Sequence, residues 1–184
     1  MILPIYIYGH PILRTECKNI ESSYDGLDQL IENMFETMHN AHGIGLSAPQ
    51  IGLAINLFII DLSPYAEDDP SFLDMKEVFI NPKIIDEFGE ECTHNEGCLS
   101  IPGVREDIER KSVVKMKYLD QNFMERVVEI SGIFARVVQH EYDHLNKTLF
   151  IDYLSPVKKN IVNRKLNSII RGKFKEEYPT ILKK

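Results

Sequence analysis

Ser131-Gly132-Ile133-Phe134-Ala135-Arg136-Val137-Val138-Gln139-His140-Glu141-Tyr142-Asp143-His144-Leu145-Asn146 joins a clear helical periodicity to the most pointed chemistry in the chain. Phe134, Val137, Val138, Glu141 and Leu145 share one flank of a helix from about Gly132 to Asn146, with Ser131 placed to cap it. His140 and His144 are four residues apart, a rotation of roughly 400°, so both imidazoles leave one face with Cβ atoms about 5–6 Å apart. Two ring nitrogens can then grip one metal ion, while Glu141 is turned aside onto the buried flank, close to a water on that ion. This is the layout of a metal-dependent hydrolase. Taken alone, the HExxH pattern leaves the alternative open, because helical histidines are commonly satisfied by backbone carbonyls.

Around this helix the periodicity changes. Leu27, Leu30, Ile31, Met34, Phe35, Met38 and Ala41 recur every three or four residues, which predicts an amphipathic helix ending near Gly43. Ile55–Asp61 and Val78-Phe79-Ile80 have the β-branched and aromatic density of buried strands, the second expected to end at Asn81-Pro82. The acidic segment Ser63–Asp74 between them predicts a surface loop. Val114, Met116 and Tyr118 alternate with Lys115 and Lys117, and Asp120-Gln121-Asn122 predicts a turn into Arg126–Ile130, a hairpin. A last helix is expected from Ser155 as cap and Pro156 in the first turn, through Ile161, Val162, Leu166, Ile169 and Ile170, to Gly172. Strands that do not alternate regularly with helices predict an α+β single domain: antiparallel strands around a central HExxH-bearing helix, with a C-terminal helix. The catalytic domain is expected over residues 1–172 and a polar tail over 173–184.

With 184 residues, a formal net charge of −7 and 43% hydrophobic residues, the chain is expected to bury a core unaided. That charge argues against a basic nucleic-acid-binding face and specific DNA binding. The exception is the Lys- and Arg-rich stretch from Lys158 to Lys184, read first as a solvated helix face and mobile end, with a transient ribosome contact as the second reading. No apolar run reaches membrane-span length. Three unevenly spaced cysteines and a start lacking a charged, long apolar leader point to a reducing cytoplasm.

A catalytic site of this type needs a third protein ligand and an open position. Downstream supply is poor: Lys147 and Phe150 stand where a metzincin has Gly and His, and Glu176 and Glu177 lie in the tail. Upstream, Cys98 in Glu96-Gly97-Cys98-Leu99-Ser100 is the strongest candidate, although an intracellular cysteine is most often a core thiol. Cys92 and His94 are rivals, and either one joining Cys98, His140 and His144 would make a closed structural site. Gly43-Ile44-Gly45-Leu46-Ser47-Ala48-Pro49-Gln50 adds a glycine-flanked loop in which Gln50 can donate to an oxyanion, or simply a helix stop followed by a proline turn.

In order and spacing, these three segments resemble the three motifs of the peptide deformylase family, and the resemblance runs from Ile5 to about Tyr153. Ser47 departs from the family's usual Ala, with no loss expected. The resemblance implies that Cys98, His140 and His144 hold a divalent ion, Fe(II) physiologically with Zn(II) or Ni(II) as substitutes. It implies Glu141 as proton shuttle for an attacking water, and Gln50 and the Leu99 N–H as donors to the formyl oxygen. Ile44 and Val137 are the apolar candidates for the methionine slot, and Gly45 and Gly97 would pair with the peptide main chain. Arg105 touches the peptide or is a solvated charge. Glu96 braces the cysteine loop or an arginine such as Arg136, and Asp143 points poorly for orienting an imidazole. The implied substrate is the N-formyl-methionyl end of nascent polypeptides. The alternatives are an HExxH zinc endopeptidase and a closed Cys/His binding module.

Overall fold

A computed structural model of the protein describes residues 1–67 and 69–183. Asp68, in the expected surface loop, and Lys184, at the end of the expected tail, lie outside the described residues. In chain order the strands are β1 (Ile5–Tyr6), β2 (Gly45–Ser47), β3 (Leu57–Asp61), β4 (Lys76–Cys98), β5 (Ile101–Leu119), β6 (Glu125–Ser131) and β7 (Thr180–Ile181). The helices are α1 (Leu27–Asn40), α2 (Gly132–Leu145) and α3 (Pro156–Ile170). Five strands form an antiparallel sheet in the order β2-β3-β4-β5-β6, and β1 pairs with β7 in parallel. The α+β architecture expected from the patterning is therefore present.

β3 explains why its run shows no alternation. Leu57 and Ile59 enter one hydrophobic cluster, with α1 and α3, while Phe58 and Ile60 enter a second, with α2. A strand buried on both faces needs apolar residues at every position. Phe58 stands opposite Phe79 in β4, their ring centroids 4.5 Å apart, and Val138 and Ala135 of α2 belong to the same cluster. This packing seats the HExxH helix on the sheet.

The structure corrects several boundaries. Asn81-Pro82 does not end β4, which continues to Cys98. Proline lacks the N–H for a regular ladder, and the strand passes it through a register shift between Ile80 and Lys83. Asn81 takes a φ of 49° there, and its side chain bonds both the N–H and the C=O of Ile20, at 2.9 and 2.8 Å. The long β4–β5 hairpin that results delivers Cys98. At α1 it is His42, with φ 54°, that takes the left-handed position after the helix. Gly43 serves close packing instead: a Cβ on it would lie 2.8 Å from Leu99 Cδ1. Ser131 precedes α2 without a side-chain cap, and Gly132, with φ 65°, turns β6 directly into the helix. On α3 the buried stripe is Val162, Leu166 and Ile169, while Ile161 and Ile170 are exposed. The expected 120–122 turn is present, its Asp120 Oδ1 accepting from the N–H groups of Asn122 and Met124.

Candidate active site and metal centre

Three elements meet at one point: α2, the end of β4 and the β2 segment. Cys98 Sγ lies 3.3 Å from His144 Nε2, and one donor atom each from Cys98, His140 and His144 all fall within 4.8 Å of one another. A tetrahedral ion with Zn–S and Zn–N bonds of normal length would separate sulfur and nitrogen by about 3.6 Å, so the set fits one ion. One thiol and two imidazoles suit a transition metal rather than Mg²⁺ or Ca²⁺. Among the described residues no fourth side chain joins the group. Cys92 Sγ is turned to the Arg110 carbonyl at 3.6 Å, and His94 lines the outer cleft, so the closed four-ligand reading has no support.

The group opens on a cleft of about 560 Å³. Cys98 and His140 line it, while His144 lies behind them, fully buried. Each other residue predicted for the site also lines this cleft: Glu141, Gln50 and Leu99, then Ile44 and Val137 on the apolar side, and Gly45, Gly97 and Arg105. Arg105 directs its guanidinium at Asn95, donating to Oδ1 and to the backbone carbonyl, both at 2.8 Å.

Glu141 is buried, and burial raises its pKa above the ordinary carboxylate value. Its Oε2 accepts from the Ser47 hydroxyl. The other oxygen, Oε1, faces Gly45, where a Cβ would come within 2.5 Å of it. The absence of a side chain at Gly45 is thus required by the Glu141 carboxylate. The Ser47 hydroxyl, at the position where the family usually has Ala, holds one oxygen of Glu141.

Gln50 begins from a short 3-10 helix, Ala48–Ile51, and its Oε1 accepts from the Ser47 N–H at 2.8 Å. A backbone donor can only face the amide oxygen, so the NH₂ group must point the other way. It does, towards Cys98 Sγ at 3.5 Å and Ser100 Oγ at 3.3 Å.

Glu96 is the centre of the support. Its carboxylate takes a bidentate pair from Arg110 at 2.8 and 3.1 Å, another bond from Arg136 at 3.0 Å, and lies 2.9 Å from His140 Nδ1. Burial alone would raise its pKa, but the bonds to His140 and Arg110 outweigh that and hold it far below the usual carboxylate range. With Nδ1 engaged, His140 presents Nε2 to the metal position, as ligating histidines generally do. Arg110 also reaches Asp143 at 2.7 Å, and Asp143 accepts from Tyr153 at 3.0 Å, so Asp143 supports an arginine and not an imidazole. Arg110 was missed by the sequence reading, although the inward parity of Ile108 and Arg110 along β5 carried the signal. Glu96→Ala leaves the buried Arg136 without a carboxylate partner and Arg110 with Asp143 alone. It should cost about 3–5 kcal/mol in denaturant unfolding and weaken metal retention about 10–100-fold by freeing His140.

Comparison with known proteins decides the family. The family model described as polypeptide deformylase matches residues 2–160. The chain belongs to the polypeptide deformylase family. A curated peptide deformylase from Christiangramia forsetii is 47% identical over 97% of this chain and 94% of its own length. Among solved structures, a peptide deformylase from Legionella pneumophila superposes with a TM-score of 0.81 at 37% identity, over 93% of this chain and 96% of that one. One from Synechococcus elongatus in complex with actinonin gives 0.78 at 38% identity, over 93% and 87%. The protein is a metal-dependent hydrolase that removes the formyl group from nascent polypeptides, and the endopeptidase reading is not favoured. Among the described residues no helix is long and apolar enough to cross a membrane.

Proposed function

We propose that Cys98, His140 and His144 are the metal ligands, that Glu141 is the proton shuttle, and that Gln50 Nε2 and the Leu99 N–H hold the formyl oxygen as it gains charge. The observation that carries this is an open three-donor group on the floor of a cleft, with a buried carboxylate beside it. A bound divalent ion supplies Lewis acidity for activating water and polarising the formyl group. Glu141 Oε1, the oxygen not taken by Ser47, accepts the proton of the attacking water and returns it to the departing amine. Gln50 arrives preoriented, because its oxygen is already engaged by the Ser47 N–H and its NH₂ is thereby turned to the Cys98 side. Ile44 and Val137 provide the apolar slot for methionine, and Gly45 and Gly97 leave the backbone free to pair with the first peptide units. Arg105, engaged with Asn95 at the rim, is placed to meet the peptide beyond them.

We assign Fe(II) as the physiological ion, with Zn(II) or Ni(II) able to replace it, since the thiolate and imidazole set is compatible with each. The cytoplasm is the expected compartment, because an Fe(II)–thiolate site is oxygen-sensitive. The exposed Lys159, Arg164 and Lys165 of α3 support a transient ribosome contact. Residues 1–172 form the catalytic domain in this reading, and the tail beyond them is tied to it by β7. Anaerobically purified protein incubated with formyl-Met-Ala should release formate and bind actinonin. Absence of formate release by metal-loaded protein sinks the assignment.

Gly45→Ala gives a separate check on the base. The added methyl would meet Oε1, Cγ and Cδ of Glu141 at 2.5, 2.8 and 2.9 Å, so the whole side chain must move. We expect kcat to fall about 10²-fold with metal content unchanged, as misplacement by about 1 Å commonly does.

A further inference from the structure

The family-model match ends at residue 160, yet residues 173–183 return to the cleft. β7 pairs with β1 through bonds from Ile5 N–H to the Pro179 carbonyl and from Ile7 N–H to the Ile181 carbonyl, at 2.8 and 2.9 Å. Phe174, Tyr178 and Leu182 pack on the larger core cluster. Glu176 and Tyr178 line the cleft, and the Tyr178 hydroxyl donates to the backbone carbonyl of Leu99 at 2.8 Å. On the next residue, the Ser100 carbonyl accepts from the Tyr8 N–H at 2.8 Å, just past β1. Two consecutive carbonyls of the turn joining β4 to β5 are therefore held by the two chain termini, which are themselves paired.

That turn carries the Leu99 N–H, flanked by the Cys98 thiol and a strand. The Leu99 carbonyl lies on the peptide plane next to the one that carries the Leu99 N–H, so a bond to it restrains rotation about Leu99, and a donor to a developing oxyanion works only if it is already aimed. We infer that Tyr178 is a positioning residue of the deformylation reaction: the C-terminal tail straps the Leu99 turn and so aims the Leu99 N–H into the cleft. This rests on the assignment of Leu99 as an oxyanion donor. Burial raises the pKa of the Tyr178 hydroxyl, which keeps it a proton donor throughout the working pH range.

The test is Tyr178→Phe in the full-length, metal-loaded protein, which keeps the ring and removes only the hydroxyl. We expect kcat on formyl-Met-Ala to fall about tenfold with KM within a factor of two, metal content unchanged, and faster hydrogen exchange in the peptide spanning Leu99–Ile101. A chain ending at Gly172 should lose more activity than Tyr178→Phe, and should it fail to fold, the point variant still decides. Wild-type turnover and exchange in Tyr178→Phe, or a change confined to KM, overturns the positioning role. A wild-type protein that releases no formate overturns the site assignment instead, so the two failures are distinguishable.

Discussion

Glu141→Gln lowers formate release from formyl-Met-Ala by about 10³-fold or more and leaves bound metal at the wild-type level. The expectation comes from the geometry of one side chain. Glutamine has the same shape, and its amide oxygen can still accept from Ser47, so the contacts that seat residue 141 between α2 and β2 persist. What disappears is the atom that takes a proton, Oε1, beside Gly45. The ligand group of Cys98, His140 and His144 is untouched, because Glu141 is not part of it. Thermal stability should hold or rise slightly, since burial disfavours the charged carboxylate that the substitution removes. Formate assay, metal analysis and a melting curve on the same sample separate these outcomes. Residual turnover within tenfold of wild type removes Glu141 from the proton path.

The helix that bears this residue was readable because its apolar flank and its chemistry coincide. Phe134, Val137, Val138 and Leu145 set its orientation on the sheet, and the offset of four set the two imidazoles on one face. Local periodicity is sufficient for such an element. It was not sufficient for β4. Residues 83–98 alternate weakly, since much of the hairpin is exposed on both faces, and Pro82 is a strong local stop that the strand passes by a register shift, with Asn81 tied to Ile20, sixty-one residues away. Glu96 shows the same limit at the site. Its nearness to Cys98 was visible in sequence, and Arg136 was among the partners expected, but only the folded sheet puts Arg110, Arg136 and His140 around one carboxylate. Ser47 is a further case. Next to Gln50 it looks like a turn residue, and its tie to Glu141 spans 94 positions. The tail read as polar because its apolar residues, Phe174, Tyr178 and Leu182, are spaced at fours without a helix to collect them.

The support around the ligands is therefore non-local, whereas the ligands themselves sit in short motifs. This has an energetic consequence. Glu96 and its two arginines form a buried charged cluster, which stabilises only while complete. Gln50, Ser47 and Glu141 form a second chain of bonds on the other side of the ligand group. The Cys98, His140 and His144 group lies between the arginine-held Glu96 carboxylate that orients His140 and the Gln50 amide and Glu141 carboxylate that line the cleft. On both flanks the side chains are held in place by fixed partners, the condition under which donors stabilise a transition state with little reorganisation.

Cys98→Ser should abolish both metal retention and turnover. Serine fills the same space at a half-buried position, so the β4–β5 turn and its ties to Tyr178 and Tyr8 should form normally. An alcohol does not ionise near neutrality, however, and the two remaining imidazoles make an incomplete site. Loss of a mere supporting partner costs about 10–100-fold in metal affinity, so loss of a ligand should cost at least about 10²-fold. Stability offers an independent reading. A metal that binds only the native state raises the melting temperature as its free concentration exceeds its Kd, so adding metal should stabilise the wild-type protein and leave Cys98→Ser unmoved. Gln50 also loses the sulfur it now faces at 3.5 Å, but keeps Ser47 and Ser100, and its orientation should survive. Metal content after gel filtration, the metal-dependent melting shift and formate release should thus fall together. A variant that keeps its metal and cleaves formyl-Met-Ala normally would show that the third ligand lies elsewhere and that Cys98 is a cleft-lining thiol.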